Sequence, residues 1–285
     1  MVRKECSTIE REFLISALQG GIRLDERQFL DQRSLSFSIS EDGSSVDCLL
    51  GSTRVMAHVS ATITKPRPDR PFEGLFQVFS EINPIASHDY ETGRSSEEEL
   101  EISRMLDKSL TRARVVDREA LCILAGQKVW SIRVDLLFLN DEGNLLDCAS
   151  IAAMTALRNF RRPDVTLEGE DITIHSTQER IPVNLMLHHF PICLTFALFE
   201  LPKTCIILDP SLLEERICSG KMTLAINTQK EICVVNKSGG VPLEVDEIMR
   251  LVKIASVKVR EIDELIRKTV EKESIKFNLS ALQDR

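Results

Sequence analysis

Hydrophobic and polar positions alternate in two early runs. In "SLSFSIS" the apolar members are Leu35, Phe37 and Ile39, and in "TRVMAHVSATI" they are Val55, Ala57, Val59, Ala61 and Ile63. A period of two predicts half-buried antiparallel strands. Ahead of them, "STIEREFLISALQ" carries a capping box (Ser7 with Glu10), apolar Ile9, Phe13, Ala17 and Leu18 on one side, and Gly20–Gly21 as a stop. These signals predict a short helix. The three prolines of "KPRPDRPFEG" then break the strand pattern and mark a loop rich in Lys and Arg.

From Ser96 to Val116 the period becomes helical, with Ser96 as cap, Glu99 at the box position, and Ile102, Met105, Leu106, Ser109, Leu110 and Ala113 on one face. Val129–Leu139, "VWSIRVDLLFL", reads as a central strand, and Asp147–Phe160 as an alanine-rich helix packed closely on a sheet. After "RRPDV" come short apolar runs, "DITIH", "ICLTFALF", "TCIIL", "MTLAIN" and "EICVV", separated by turn residues. "SGG" and Pro242 introduce a last helix in which Val245, Ile248, Val252, Ala255, Val259, Ile262 and Ile266 recur at helical spacing. Strands then helices, twice over, predict an α+β protein of two similar lobes. The expected divisions are an N-terminal helix and arm over 1–30, a first lobe over 31–165, a second over 166–272 and a tail over 273–285.

Composition narrows the classes. At 285 residues and 43% hydrophobic, the chain can bury a sizeable core, and no apolar run is long enough to span a bilayer. The opening "MVRKECSTIEREF" lacks the apolar centre of a signal peptide, so cytosol or nucleus is expected. The eight cysteines form no C-x-x-C pair and sit mostly in apolar runs, the pattern of buried reduced thiols. His188–His189 has no carboxylate or cysteine at ligand spacing, and no metal or cofactor is assigned. A net charge of −8 argues against a free-standing nucleic-acid binder, so RNA contact has to be local or shared with a more basic partner.

The stretch "LNDEGNLLDCASIAAMTAL" joins a strand to a helix, a junction that commonly offers free N–H groups and a positive dipole end to phosphate. Here Asn144 and Leu145 stand where a cradle needs a hydroxyl and a cation, and Asp141, Glu142 and Asp147 repel anions. The junction reads as capped for folding and not as built for phosphate.

"GIRLDER", "GSTRVMAHV", "PFEGLF", "LCILAGQKVWSIRVDLLFLNDEGNLLDCASIAAMTAL" and "LDPSLLEE", in this order along the chain, resemble the RNase PH family. "GNLLDCASIAAMTALRNFRRPDV", "PICLTFALF" and "KIASVKV" look most like one eukaryotic branch of it, whose members are subunits of the RNA exosome. The resemblance implies an RNase PH fold, two lobes with mixed sheets packed by helices. It also implies a ring of six such subunits around an RNA channel. Active members degrade RNA from its 3′ end with phosphate, releasing nucleoside diphosphates.

That chemistry has three needs, and the matching positions depart from each. The arginine that grips RNA shortly before an "E-I-[SQ]" segment falls at Glu97 and Glu98, counted from Glu101-Ile102-Ser103. The phosphate loop "D-G-G-[ST]-R" reads Asp141-Glu142-Gly143-Asn144-Leu145. The "E-E-D" acid cluster reads Glu214-Glu215-Arg216, with Lys221 near its second Asp. Losing several groups, each worth roughly 10²–10⁴-fold, predicts an inactive, structural subunit with no catalytic residue. The branch implies other RNase PH-like exosome subunits in a hetero-hexameric ring, RNA-binding cap subunits, an associated 3′ exoribonuclease and RNA as partners, in nucleus, nucleolus and cytoplasm. Two rivals stay open: a phosphate-dependent exoribonuclease acting alone with a rearranged site, and a composite site shared with a neighbour.

Arg104, Lys108 and Arg112 recur every four residues on the helix that begins near Ser96, with Arg114 and Arg118 after it. Like charges so spaced repel by a few tenths of a kcal/mol per pair, so they want carboxylates or phosphates opposite. One reading is a solvated face paired with Glu101, Asp107 and neighbouring subunits; the other is a channel lining that holds RNA phosphates. Weaker candidates are "GSTR" (Gly51–Arg54) as a tight turn with Arg54 as an outside RNA contact, and Arg23, Asp25 and Arg27 as an internal ion pair. Tyr90 is a candidate for base stacking, and Phe13 with Leu14 could anchor the first helix on a neighbour.

Overall fold

The structure, a computed structural model, describes residues 6–283 except 41, 92, 94, 169–170, 176–179, 181, 202–204 and 241. The chain opens with α1 (Thr8–Gln19) and continues as β1 (Leu35–Ile39), β2 (Ser45–Leu50), β3 (Thr53–Thr64) and β4 (Leu75–Ile82). α2 (Glu97–Leu106) runs into a π-helical turn, Asp107–Arg112, and β5 (Cys122–Leu124), β6 (Lys128–Asn140) and α3 (Leu145–Asn159) complete the first lobe. The chain continues with β7 (Arg161–Arg162), β8 (Val165–Glu168), β9 (Asp171–Ile174), β10 (Val183–Asn184), β11 (Ile192–Phe199) and β12 (Cys205–Leu208). It ends with α4 (Leu212–Ile217), β13 (Gly220–Ile226), β14 (Ile232–Gly239) and α5 (Val245–Gln283).

The alternating run of β3 becomes the partner of β6, with Val59 opposite Val134 and Ala57 opposite Leu136. Strand order in the first sheet is β1-β2-β3-β6-β4, with β5 also on β6, and β4 runs parallel to β6 while the other pairs are antiparallel. The second sheet, β12-β11-β13-β14, is antiparallel throughout, so the mixed character belongs to the first sheet alone.

α3 is the hub of the molecule. Its alanines let it approach β2 and β3 on one side and β11 on the other, and Ala149, Ala152, Ala153 and Ala156 are fully buried. A helix apolar on every side belongs in a core. α5 lies beside α3 and buries Leu251, Ala255, Val259, Ile262 and Ile266, the stripe its sequence announced. It continues to Gln283, so residues 273–283 extend this helix and do not form a separate tail.

α1 has the expected cap: Ser7 Oγ accepts from Glu10 N at 3.2 Å, and Ser7 N donates to Glu10 Oε2 at 3.0 Å. Its buried face differs from the expected one. Leu14 and Leu18 pack on this chain's own second sheet, against Ala197, Phe199 and Ile207, whereas Ile9 (78% exposed) and Phe13 (61%) point to solvent. Leu14 therefore anchors α1 within the chain. None of the described helices is long and apolar enough to cross a membrane.

Candidate functional site

The loop between β6 and α3 is held from every side. Asn144 adopts a left-handed conformation (φ 57°), which a short amide side chain tolerates better than most. It stands at the N-cap of α3 but its side chain makes no capping hydrogen bond to the helix. Instead Nδ2 donates to Asp147 Oδ2 at 2.9 Å and to Asp209 Oδ1 at 2.7 Å. Leu145 is 2% exposed, deep in the core. Gly143 (φ 88°) lies so close to α4 that a Cβ there would come within 2.5 Å of Leu212 N. Leu212 N donates to Glu142 O at 3.1 Å, and Arg33 grips the carbonyls of Glu142 and Gly143.

The three degenerate stretches nevertheless converge. Tyr90, in the loop after β4, is buried, and its hydroxyl lies 2.9 Å from both Glu98 Oε2 and Asp141 Oδ2. It is a core hydrogen-bonding group, not an exposed base-stacking ring. Burial, and then the Glu98 and Asp141 charges, hold its phenol protonated well above the ordinary range. Beside it, Lys221 Nζ pairs with Glu215 Oε1 at 3.1 Å, and Arg216 Nη2 pairs with Asp89 Oδ2 at 2.7 Å. Glu97 stays exposed, and Glu214 turns away to Arg23.

Charge balance explains the local ionisation. Burial pushes the Glu215 carboxyl upward, Lys221 opposes that shift, and Glu98 and Asp141 reinforce it. For Lys221, burial acts downward but Glu215 overrides it and keeps the ammonium above its ordinary range. The partners shift unequally because Glu98 and Asp141 share the site: the lysine is well satisfied and Glu215 is the frustrated member. Asp89, Glu98, Asp141 and Glu215 outnumber Lys221 and Arg216, and both cations already hold carboxylates.

A second network lies at the lobe junction. Arg23 is fully buried and donates to Glu214 through Nε (3.0 Å) and Nη2 (2.6 Å), and to the carbonyls of Leu208 and Asp209. Arg27 reaches Asp25 and Asp209, and Arg33 reaches Asp209 at 2.8 Å. Burial opposes the charge of Asp209, but the Arg33 hydrogen bond and charge hold its carboxyl below the ordinary range. Arg23 and Arg27 both pair with Asp25, the internal ion pair expected of these three residues. Gly51 (φ 62°) makes the expected turn, and Arg54 pairs with Asp47.

The basic stripe is on the surface. Arg104, Lys108 and Arg112 are all exposed. The π-helical turn sets residues five apart above one another, and Arg112 Nε donates to Asp107 Oδ2 at 2.9 Å across that interval. Arg104 and Lys108 pair with no carboxylate among the described residues. The structure adds cations that the sequence reading left apart. Arg118 donates to Thr111 O at the end of the π turn and lines a small pocket with Arg67, Arg70, Glu73 and Thr111. Burial first, then the like charges of Arg67, Arg70 and Arg114, pull the Arg118 guanidinium below its ordinary value, with Glu73 acting the other way. Loop composition hinted at Arg67 and Arg70, but only the fold brings them to Arg118.

Comparison with known proteins gives a consistent result. The 3′ exoribonuclease family model matches in both its parts, domain 1 over residues 31–163 and domain 2 over residues 189–258. The chain is 41% identical over 272 residues to the exosome complex component rrp45 of Schizosaccharomyces pombe, covering 93% of each protein. It is 43% identical over 265 residues to the exosome complex component RRP45 of Bos taurus, covering 93% of this chain but 60% of the bovine one. Among solved structures, the Archaeoglobus fulgidus exosome with RNA bound to the active site superposes with a TM-score of 0.77 at 27% identity, over 90% of this chain and 97% of that one.

Proposed function

The chain belongs to the RNase PH family of 3′ exoribonucleases, and from that premise we propose that it is a non-catalytic ring subunit of a eukaryotic RNA exosome, of the exosome component nine branch. In this reading it helps enclose the RNA channel of a hetero-hexamer of RNase PH-like subunits, beneath RNA-binding cap subunits. RNA passes to an associated 3′ exoribonuclease, in nucleus, nucleolus and cytoplasm.

The observation that carries the non-catalytic reading is the refilled pocket. Carboxylates of Glu98, Asp141 and Glu215 lie near the positions that match the family's catalytic motifs, Lys221 and Arg216 are held by carboxylates, and Asn144 and Leu145 are built into the core. Phosphorolysis needs a bound phosphate as nucleophile and cations on the developing charge. A phosphate-dependent degradation assay on the lone chain, and on its pair with a ring neighbour, should yield no nucleoside diphosphate. Release by the lone chain would overturn this reading.

Arg104, Lys108 and Arg112 carry the RNA-contact part, supported by the absence of a described carboxylate partner for Arg104 and Lys108 and by the adjoining Arg67–Arg118 pocket. Arg104→Glu with Lys108→Glu should weaken RNA crosslinking to the assembled ring and flatten its salt dependence, by about 0.7 in log–log slope per lost phosphate contact. Unchanged crosslinking would assign the stripe to solvent or to neighbouring subunits.

A further inference from the structure

The edge of the first sheet at β4 stands open. β4 is the last strand in the order, its eight residues pair with β6 in an unbroken parallel register, and among the described residues no other strand meets its outer side. Edges left unpaired are usually guarded by proline, a bulge or a row of charges. Leu75–Ile82, "LFQVFSEI", has no proline, no register shift and a single charge, Glu81. Phe79 on this strand is 45% exposed, large for an aromatic ring.

Beside β4 runs an open groove of about 750 Å³, lined also by β6, by the loop after β4 and by the start of α2. Its floor includes Phe79 and Leu137, and Glu81, Glu91 and Glu99 stand in its walls. The one arginine among its described lining residues, Arg133, is already committed: it donates to Asp135 at 2.8 Å and lies 4.3 Å from the Phe79 ring centroid. Carboxylates over an apolar floor repel a nucleic-acid backbone and favour a cationic polypeptide. A free edge offers that polypeptide main-chain hydrogen bonds, and the alternation of a strand presents every second side chain to the groove.

We propose that β4 accepts an extended, basic strand from a neighbouring protein subunit, which continues the first sheet and seats Lys or Arg side chains among Glu81, Glu91 and Glu99. The proposal rests on the ring reading for the identity of the donor, an RNase PH-like neighbour. Its chemistry comes from the edge and the groove.

The test is hydrogen exchange of the amides of residues 75–82 in the full chain, free and assembled with RNase PH-like partner subunits. The comparison is repeated with Glu81→Lys plus Glu91→Lys, two exposed positions whose reversal leaves the core intact. The proposal expects outward β4 amides to slow on assembly and the double reversal to weaken assembly by about tenfold, with a loss that shrinks as salt rises. A ring that assembles while these amides exchange as fast as in the free chain overturns the proposal and leaves the ring reading standing. So does a double reversal that assembles as tightly as the parent. Failure of the unaltered chain to assemble overturns the ring reading, and this proposal with it.

Discussion

Replacing Lys221 by methionine removes the cation that, among the described residues, forms an ion pair with the frustrated Glu215. At 3.1 Å the pair gains about 5 kcal/mol of attraction for an effective dielectric of about 20. Desolvation cancels part of that, and the Lys221 side chain keeps 29% exposure, so the expected cost is about 3 kcal/mol, the low end for a broken buried pair. In a chain of this size that corresponds to a fall of about 6–12 °C in Tm. The sign of the pH dependence follows from Glu215. Its folded carboxyl already binds a proton more tightly than the ordinary 4.5, and losing Lys221 tightens it further. A group with a raised folded pKa gains stability as pH falls through the folded value, so the deficit of the variant grows as pH rises through that value and shrinks as pH falls toward the ordinary carboxylate range. Urea denaturation at several pH values reads this directly. Adding Glu215→Gln should recover about 2 kcal/mol by removing the stranded charge. A deficit equal at pH 5.5 and 8, or a double variant no more stable than Lys221→Met, would refute the account of the pocket as a carboxylate excess held by one lysine.

Two further outcomes follow from the loop and helix behind it. Asp147 is buried in α3, accepts hydrogen bonds from Asn144 and Thr195, and is pushed by burial up to about 7, so the stability it contributes declines as pH rises from its unfolded value near 3.8 through about 7. Asp147→Asn should flatten that part of the stability–pH curve relative to the parent, read from urea midpoints. Gly143→Ala places a Cβ against Leu212 N at a positive φ and should cost about 1–3 kcal/mol, read as a lower Tm. An unchanged Tm would mean that α4 yields easily.

The period of two in β3 and the apolar stripe of α5 were legible because each element buries one face, and burial of one face leaves its period in the chain. The buried side of α1 was not: Ile9 and Phe13 compete with Leu14 and Leu18 within one short helix, and only the position of the second sheet decides between them. The π turn escaped because its repeat differs little from an α-helix over six residues. The sequence reading started α3 at Asp147; the fold starts it at Leu145, since Asn144 takes the left-handed turn and gives its amide to Asp147 and Asp209. The charge reversals at Glu98 and Arg216 were visible as residue types. Their coupling was not, because Tyr90, a loop residue by composition, meets Asp141 across 51 positions and Asp89 meets Arg216 across 127.

That coupling bears on whether catalysis is absent for want of two side chains or by construction. Asn144→Ser with Leu145→Arg restores the hydroxyl and guanidinium of the family's phosphate loop. If those side chains were all that is missing, the double variant would fold normally, and millimolar phosphate would raise its Tm through binding to the native state. The packing argues otherwise. Leu145 belongs to the core, where a guanidinium with no prepared partner is penalised by several kcal/mol, and removing the Asn144 amide leaves Asp147 and Asp209 without a shared donor. Any phosphate that did enter would still face Asp141 and Glu215. The expected result is a variant at least 3 kcal/mol less stable, with no phosphate-dependent rise in Tm. A stable double variant that phosphate protects would show that the pocket remains one step from catalysis, and that the carboxylates around Tyr90 do not exclude the anion.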